Sequence, residues 1–272
     1  IGFLLFMLIP MVATFVLSFT KYDMLSTPKF VGLQNYIDMV KDPIIWEVTK
    51  NTIVYTILTV PVGMCISLLL AVMLDQKIAF RKFYRAAFFL PSITSMVVVA
   101  IVWQWIYNPD YGLLNYFLSL FGIKGPKWLL DANTSLISLA IVGIWKKAGY
   151  NMIIFLSGLQ GISYSYYEAS MLDGANKWQQ FRYITLPMLK PTTFFVFVMT
   201  VIGSFQVFDQ IMLMTKGGPG RSSSVLVHYL YQNAFQYFKL GYACAIAYLL
   251  FFIVMGITVF NMRMEKSMRE IY

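Results

Sequence analysis

Long apolar runs separated by short polar segments make up most of this chain of 272 residues. A membrane-spanning helix needs roughly 20 apolar residues, and six runs approach that length. They cover residues 1–19, 52–74, 86–107, 134–159, 192–214 and 241–262. Short segments of alternating polarity, which are typical of transmembrane β-barrels, are absent from the sequence. The pattern therefore predicts an all-α polytopic membrane protein with six transmembrane helices, formed by residues 1–272 as a single domain.

Composition supports this fold class. Hydrophobic residues make up 59% of the chain and charged residues only 12%, with a mean hydropathy of +0.67. A soluble domain usually carries about twice that share of charged residues. Because residue 1 lies inside the first apolar run, we expect the natural N-terminus upstream of it, and no cleavable signal pattern is visible.

The distribution of basic residues predicts the orientation in the membrane. Lysine and arginine concentrate after the second predicted span, between the fourth and fifth, and after the sixth. These residues are Lys77, Arg81, Lys82, Arg85, Lys177, Arg182, Lys190, Arg263, Lys266 and Arg269. Cytoplasmic segments carry such an excess, so both termini are expected in the cytoplasm. Membrane topology then explains the net charge of +9, and nucleic acid is not an expected partner.

Three segments on the opposite side of the membrane have regular patterns. Residues 28–46 mix turn residues with an apolar stripe, which predicts an ordered cap with a short helix. Residues 113–121 have helical spacing, and residues 222–238, rich in Tyr and Phe, predict an amphipathic helix in the membrane interface. His228, the single histidine, lies in this last segment and is expected to be an interface residue.

Reactive and metal-binding residues are few. Cys65 and Cys244 lie in predicted spans and are expected to be small buried hydrophobic residues. A single histidine without ligand spacing argues against a zinc site, so neither a metal nor a cofactor is predicted for this chain. No carboxylate pair, Ser-His-Asp set or activated thiol can be assembled on one side of the membrane. The chain is therefore not expected to be an enzyme.

Residues 168–191, EASMLDGANKWQQFRYITLPMLKP, form the polar segment around which the spans are arranged. Helix formers fill its first half, with Glu168 and Asp173 early and Lys177 later, as the helix macrodipole favours. Gly174 costs roughly 1 kcal/mol relative to Ala inside a helix, which indicates a turn or a close contact. Pro187 then stops or kinks the following helix. On these grounds alone, the segment is an amphipathic linker between two membrane helices.

The spacing within this segment also resembles a known motif. The matching positions are Glu168, Ala169, Ser170, Asp173, Gly174, Ala175, Ile184, Leu186 and Pro187. They resemble the EAA loop of importer permeases, the membrane subunits of binding-protein-dependent ABC transporters, with Ser170 where Ala is commonest. The resemblance implies that residues 160–191 form a cytoplasmic coupling loop docked in an ATPase cleft. Its ATPase-coupling residues are then Glu168, Ala169, Ser170, Asp173 and Gly174.

The resemblance covers nearly the whole chain. Further matching segments are residues 30–36, 51–52, 112–115, 145–151, 205–219 and 241–243. They are similar to the permeases for maltose, multiple sugars and glycerol phosphate, which implies a carbohydrate importer in the inner membrane of a prokaryote. Gly217-Gly218-Pro219 is expected either to contact the binding protein or only to end the fifth span.

The resemblance also implies a set of partners. A second, homologous permease subunit packs beside this chain as a heterodimer, and a pair of ATPase subunits binds ATP and Mg beneath them. An extracellular solute-binding protein delivers the carbohydrate ligand from above, and membrane lipid surrounds the spans. The absence of a Walker sequence from this chain is consistent with ATP hydrolysis in another polypeptide.

Lys146 and Lys147 stand near the middle of the fourth predicted span. Each lysine at that depth costs about 2.5–3.5 kcal/mol if it faces lipid. Such a pair indicates water, a partner group or a ligand nearby. Alternatively, both lysines snorkel, or they pair with the second subunit or with groups such as Asp209.

The resemblance implies that sugar contacts come from this turn and from the middle of the fifth span. The positions are Lys146, Lys147, Tyr150, Asn151, Thr200, Gly203, Ser204 and Val207. The last four have the i, i+3, i+4, i+7 spacing of one helical face, and Gly203 is expected to leave room for substrate. Lysine suits acidic sugars or hydroxyl-rich chains, and of these we expect neutral oligosaccharides.

Two other classes of membrane protein stay as alternatives. A secondary transporter normally carries ionisable groups at mid-membrane or broken helices in matched halves. The nearest carboxylate here is Asp209, toward the outer end of the fifth predicted span. A membrane scaffold subunit has no need of the EAA spacing, so that spacing favours the importer permease.

Overall fold

The computed structural model describes residues 2–76 and 78–269, and for residues 264–269 it describes the backbone only. Lys77, one of the basic residues used to predict orientation, lies outside the described residues. The side chains of Lys266 and Arg269 also lie outside them.

The described chain is mostly α-helical. The helices are α1 (Ile9–Ser18), α2 (Gln34–Lys41), α3 (Pro43–Asp75), α4 (Arg81–Ile93), α5 (Met96–Ile106), α6 (Leu113–Leu120), α7 (Ser135–Gln160), α8 (Tyr164–Leu172), α9 (Lys177–Gln180), α10 (Leu186–Met188), α11 (Lys190–Phe205), α12 (Asp209–Met214), α13 (Leu226–Tyr231) and α14 (Leu240–Arg269). Single π-helical turns cover Leu4–Leu8, Phe181–Thr185 and Gln232–Gln236, and a 3-10 turn covers Trp128–Leu130. Strands β1 (Thr20–Lys21) and β2 (Lys29–Phe30) form an antiparallel hairpin with Thr20 opposite Phe30. The helices in residues 28–46 and 113–121 match the predictions.

Three of the described helices, α3, α7 and α14, are long and apolar enough to cross a membrane. Two bent helix pairs also qualify when each pair is taken as one span, which raises the count to five. The all-α membrane fold is confirmed, while the count of six spans stays a prediction, because the first predicted span is the shorter apolar helix Leu4–Ser18. α3 begins well before predicted residue 52, since Asp42 caps it by accepting a hydrogen bond from the Ile44 amide (2.9 Å).

The predicted span over residues 86–107 consists of two helices and a break. α4 and α5 meet at an angle of 98°, with Thr94 and Ser95 in extended backbone between them. Pro91 lies in the last turns of α4, where it removes one backbone donor and weakens the helix. The break leaves carbonyl groups at the end of α4 that need partners.

The predicted span 192–214 is also interrupted. α11 ends at Phe205 and α12 begins only at Asp209. A side chain from α12 stabilises this arrangement, because Gln210 Nε2 donates to Tyr55 Oη and to the Leu139 carbonyl oxygen. At the other end, α11 meets the coupling loop at 64°, and Pro191 near its start suits a helix beginning.

The centre of the molecule is the long contact between α3 and α7. α4 packs on α7, α11 packs on α3, and α1 packs on α14. One buried apolar cluster, with Leu139 and Ile211, lies toward the end that carries the β-hairpin, hereafter the hairpin end. A second cluster, with Met152 and Phe155, lies toward the coupling loop. The candidate polar residues lie between these two clusters along α3, α7 and α11.

Three expectations are wrong, two for the hairpin end and one for Cys65. Residues 222–238 do not form one interfacial helix; α13 and a π-helical turn occupy part of the segment, and Leu226 packs against α3 and α14. His228 is only 2% exposed, with Nδ1 at 2.9 Å from Ser224 Oγ, so it is a core residue. Cys244 is buried as expected, but Cys65 is exposed, because this chain leaves its face of α3 uncovered.

Candidate functional site

The coupling loop begins with a short helix that ends in a tight turn. α8 carries Glu168, Ala169 and Ser170, and Asp173 follows it as the C-terminal cap. Gly174 has φ +78°, a left-handed conformation that favours glycine. The turn closes when the Ala175 amide donates to the Ser170 carbonyl oxygen (2.9 Å). No atom lies within 4 Å of a Cβ added at Gly174, so this chain leaves the space beside the glycine open.

Side-chain hydrogen bonds hold the two halves of the coupling loop together. Ser170 Oγ donates to the Tyr167 carbonyl oxygen (2.8 Å) and accepts from Gln180 Nε2 (2.9 Å). Tyr167 Oη lies 2.9 Å from Thr185 Oγ1. Asn176 and Gln179 form a reciprocal capping box at the start of α9, which satisfies two helix-end donors. Ser170, which departs from the commonest EAA sequence, thus bonds to both halves of the loop.

The coupling loop presents large apolar side chains to its surroundings. Leu172 is 90% exposed, and Trp178 and Tyr183 are also largely exposed. Glu168, Ala169 and Asp173 are exposed beside them. Exposed apolar residues grouped on one segment are typical of a protein interaction site.

The second candidate site is a polar crevice between α3, α7 and α11. Four of the predicted sugar-contact residues, Lys147, Asn151, Thr200 and Ser204, line one small cavity there. Asn151 Nδ2 donates to Thr200 Oγ1 (3.2 Å), and Ser204 Oγ donates to Thr56 Oγ1 (3.0 Å). The enclosed volume is only about 10 Å³, which is room for about one water molecule.

Residues of α3 that the sequence analysis did not single out form the opposite wall. Tyr55, Thr59 and Gly63 line the same cavity, and Thr56 bonds to Ser204. Residues 55, 59 and 63 are four apart, so they lie on one face of a helix. That spacing of polar and small residues within an apolar run was the signal that would have found them.

The two adjacent lysines have different surroundings. Lys146 Nζ donates to the Thr94 and Pro91 carbonyl oxygens at 2.6 and 3.2 Å. It therefore satisfies carbonyl groups exposed by the break after α4. Lys147 Nζ lies over Gly203, at 2.6 Å from the position that a Cβ there would take. The room beside Gly203, expected for substrate, is thus occupied by the Lys147 side chain.

The remaining predicted sugar-contact residues lie apart from the cavity. Tyr150 is 51% exposed and does not line it. Val207 lies in the break between α11 and α12 and packs against the apolar cluster at the hairpin end. Its expected place on the helical face of Thr200 and Ser204 is wrong, because α11 ends two residues before it.

The Gly217-Gly218-Pro219 turn is fastened to α3 at the hairpin end. Asn51 Nδ2 donates to the Ser224 and Arg221 carbonyl oxygens (2.9 and 3.1 Å). Ser223 Oγ donates to the Gly218 carbonyl oxygen (2.7 Å). These bonds hold the turn and the segment after it in place, and contact with a binding protein stays a prediction.

Apolar helices that can span a membrane enclose a polar crevice and carry an exposed loop at one end, which is the architecture of a polytopic membrane protein. The family described as binding-protein-dependent transport system inner membrane component matches residues 63–264, and the chain belongs to this family. It is thus a multi-pass inner-membrane permease of an ABC transporter.

Similar proteins agree with this family. The chain is 37% identical over 273 residues to the probable ABC transporter permease protein YurN of Bacillus subtilis, covering 98% of this chain and 94% of that protein. It is 32% identical over 272 residues to the arabinooligosaccharides transport system permease protein AraP of the same organism, covering 99% and 86%. The fold matches a chain of a bacterial alginate ABC transporter, solved with an alginate pentasaccharide-bound periplasmic protein, with a TM-score of 0.87 at 24% identity. That match covers 98% of this chain and 90% of the other.

Proposed function

We propose that this chain forms half of the translocation path of an ATP-driven saccharide importer. Its family membership and the polar crevice between α3, α7 and α11 support this function. Hydroxyl and amide groups such as those of Ser204, Thr200 and Asn151 suit a ligand rich in hydroxyl groups. The named relative AraP, a permease for arabinooligosaccharides, points to the same substrate class.

A second permease subunit completes the path in this proposal. The cavity of about 10 Å³ is far too small for a sugar, while small-molecule sites usually occupy about 300–1,000 Å³. Lys147 and Tyr150 are nevertheless exposed at this depth. The pathway is therefore expected to lie where these side chains face the homologous partner.

The coupling loop connects this path to the ATPase. The apolar residues Leu172, Trp178 and Tyr183 supply the docking surface, and the exposed Glu168 and Asp173 supply charge at its edge. One ATPase subunit binds each of the two permease loops and binds ATP and Mg itself. ATP-driven closure of the ATPase pair then moves the loop, and the loop moves α7 and α11.

The hairpin end receives the solute-binding protein in this arrangement. A cavity of about 670 Å³ opens there, lined by three lysines and three aspartates among other residues. The basic coupling loop and both termini lie in the cytoplasm. The observation that carries the proposal is the exposed coupling loop, which holds its own shape at one end of spanning helices.

Leu172→Asp tests this proposal. Leu172 is 90% exposed, so the substitution removes no core contact, but it places a charge in the docking surface. We expect at least about tenfold less ATPase to co-purify with the permease pair, as for an interface hot spot. Leu25→Asp is the matched control, because Leu25 is 89% exposed at the hairpin end. Equal recovery of the ATPase with both variants would contradict the proposed docking of the ATPase on the coupling loop.

A further inference from the structure

The surroundings of the Lys147 ammonium group differ from those of its neighbour Lys146. Many protein atoms surround its ammonium group, yet the side chain is exposed, so it lies in a crevice rather than in a packed core. Within the described residues, this ammonium has no hydrogen-bond or ion-pair partner. Its neighbour Lys146 is satisfied by two carbonyl oxygens of the α4–α5 break.

The described walls of the crevice hold no negative charge. The cavity is lined by hydroxyl, amide and small apolar groups, and Lys147 is the one charged residue among them. Asp209 interacts electrostatically with Lys146, and among the described residues no acidic side chain does so with Lys147. The crevice therefore carries a positive charge that the described part of this chain leaves unbalanced.

An unbalanced ammonium group in a spanning helix is costly. Insertion of a lysine at the centre of a span is unfavourable when the side chain faces lipid. Ionisable residues at such depth mark substrate or ion pathways. Lys146 has a role in the fold, whereas the described part of the chain holds no partner for the Lys147 charge.

We propose that the path selects saccharides that carry an anionic group, a carboxylate or a sulfonate, and that Lys147 pairs with this group during passage. The inference rests on the proposed function and names the substrate class of the same site. It replaces the expectation of neutral oligosaccharides. The hydroxyl and amide groups of Ser204, Thr200 and Asn151 then face the neutral part of the sugar.

A lysine suits this role physically. Its ammonium is a compact point charge on a flexible stem and does not form the rigid two-bond fork of arginine. A transport path needs binding that is favourable enough for entry and weak enough for release. The absence of a side chain at Gly203 leaves the space on α11 in which the Lys147 ammonium lies.

The test uses the complete importer, with its partner permease, ATPase and binding protein, reconstituted in proteoliposomes. The probes are galacturonate oligosaccharides of two to six residues and the same oligosaccharides after reduction of each carboxylate to a primary alcohol. Uptake is measured for wild type, Lys147→Gln and Lys147→Arg. Because the binding protein is the same in all three, the ratio between variants isolates the contribution of the permease.

We expect Lys147→Gln to raise the KM for the acidic probe about tenfold or more, since tenfold corresponds to one strong charge contact. The same variant should change uptake of the reduced probe less than twofold. Lys147→Arg keeps the preference for the acidic probe. Equal effects of Lys147→Gln on both probes, or no effect on either, would overturn the inference. The inference would also be overturned if the wild-type importer took up only the reduced probe, or took up both probes equally well. That measurement does not depend on the folding of a variant. Import of neither probe would overturn the inference, whereas uptake of arabinooligosaccharides by the same vesicles would leave the saccharide function in place.

Discussion

Asp42 shows how a single residue fixes the hairpin end. Its carboxylate accepts hydrogen bonds from Tyr229 Oη (2.7 Å), from Tyr242 Oη (2.8 Å) and from the Ile44 amide (2.9 Å). It thereby joins α3, α13 and α14. Burial raises the pKa of the Asp42 carboxyl, but the three hydrogen bonds outweigh burial and hold the pKa below 3.8. Burial and the bond to Asp42 raise the pKa of Tyr229 to about 12, so this tyrosine stays a donor.

The lowered pKa predicts a contribution to stability that depends on pH. A carboxyl group with a lower pKa in the folded state stabilises the fold fully above its unfolded value of about 3.9. The contribution is lost as the pH falls from there through the folded pKa. We expect the difference in apparent Tm between wild type and Asp42→Asn to be constant from pH 7 to about 5 and to shrink below about pH 4. A difference that is constant down to pH 3 would contradict this assignment.

At the residue scale, the sequence identified the important residues more successfully than it predicted their roles. The depth of both α7 lysines in an apolar run predicted that they need water, a partner group or a ligand. Their roles differ because Lys146 reaches Pro91 and Thr94, more than 50 residues earlier in the chain. The role of Ser170 also depends on Gln180, in the other half of the loop. Partners so distant in sequence cannot be read from local spacing.

At the scale of elements, broken helices are stabilised by polar side chains from their neighbours. Backbone groups freed by a break within a membrane need partners from the protein itself. Lys146 donates hydrogen bonds to carbonyl oxygens at the end of α4, where a cation also complements the helix dipole. Gln104 Nε2 serves the end of α12, donating to the Leu213 and Met214 carbonyl oxygens (both 3.1 Å). The apolar runs predicted that helices form here, but the bends depend on these distant partners.

Lys146→Met is expected to destabilise the protein through the α4–α5 bend. It removes two charge-assisted hydrogen bonds, each worth about 1.5–3 kcal/mol, and leaves two carbonyl groups unpaired. The apparent Tm in detergent should fall by several degrees. Lys147→Met is the matched control, because its ammonium has no partner among the described residues and its shift should be much smaller. Equal shifts for the two variants would show that Lys146 does not support the bend.

At the scale of the whole molecule, basic residues outnumber acidic ones at one end only. The coupling loop carries Lys177, Arg182 and Lys190 against two acidic residues, whereas the cavity at the hairpin end is lined by three lysines and three aspartates. Segments rich in lysine and arginine stay in the cytoplasm. The two ends of the molecule are therefore expected on opposite sides of the membrane.

Leu172→Cys and Leu25→Cys test this orientation. Each is introduced alone after Cys65 and Cys244 are replaced by Ala, so that one thiol is available at one exposed position. A membrane-impermeant maleimide should label Leu25→Cys in intact cells and Leu172→Cys only in inverted vesicles. The reverse labelling pattern would place the coupling loop outside and invalidate the predicted topology.

The hydrogen bonds within the coupling loop have a mechanical consequence. Ordering one backbone residue costs roughly 1–2 kcal/mol, so a loose loop of this length would oppose association with the proposed ATPase. The bonds of Ser170, Tyr167 and the Asn176 capping box already fix its shape. A segment that is already rigid before docking can transmit a movement without changing its own shape. The stroke of a closing ATPase would then reach α7 and α11 as displacement instead of being absorbed as deformation of the loop.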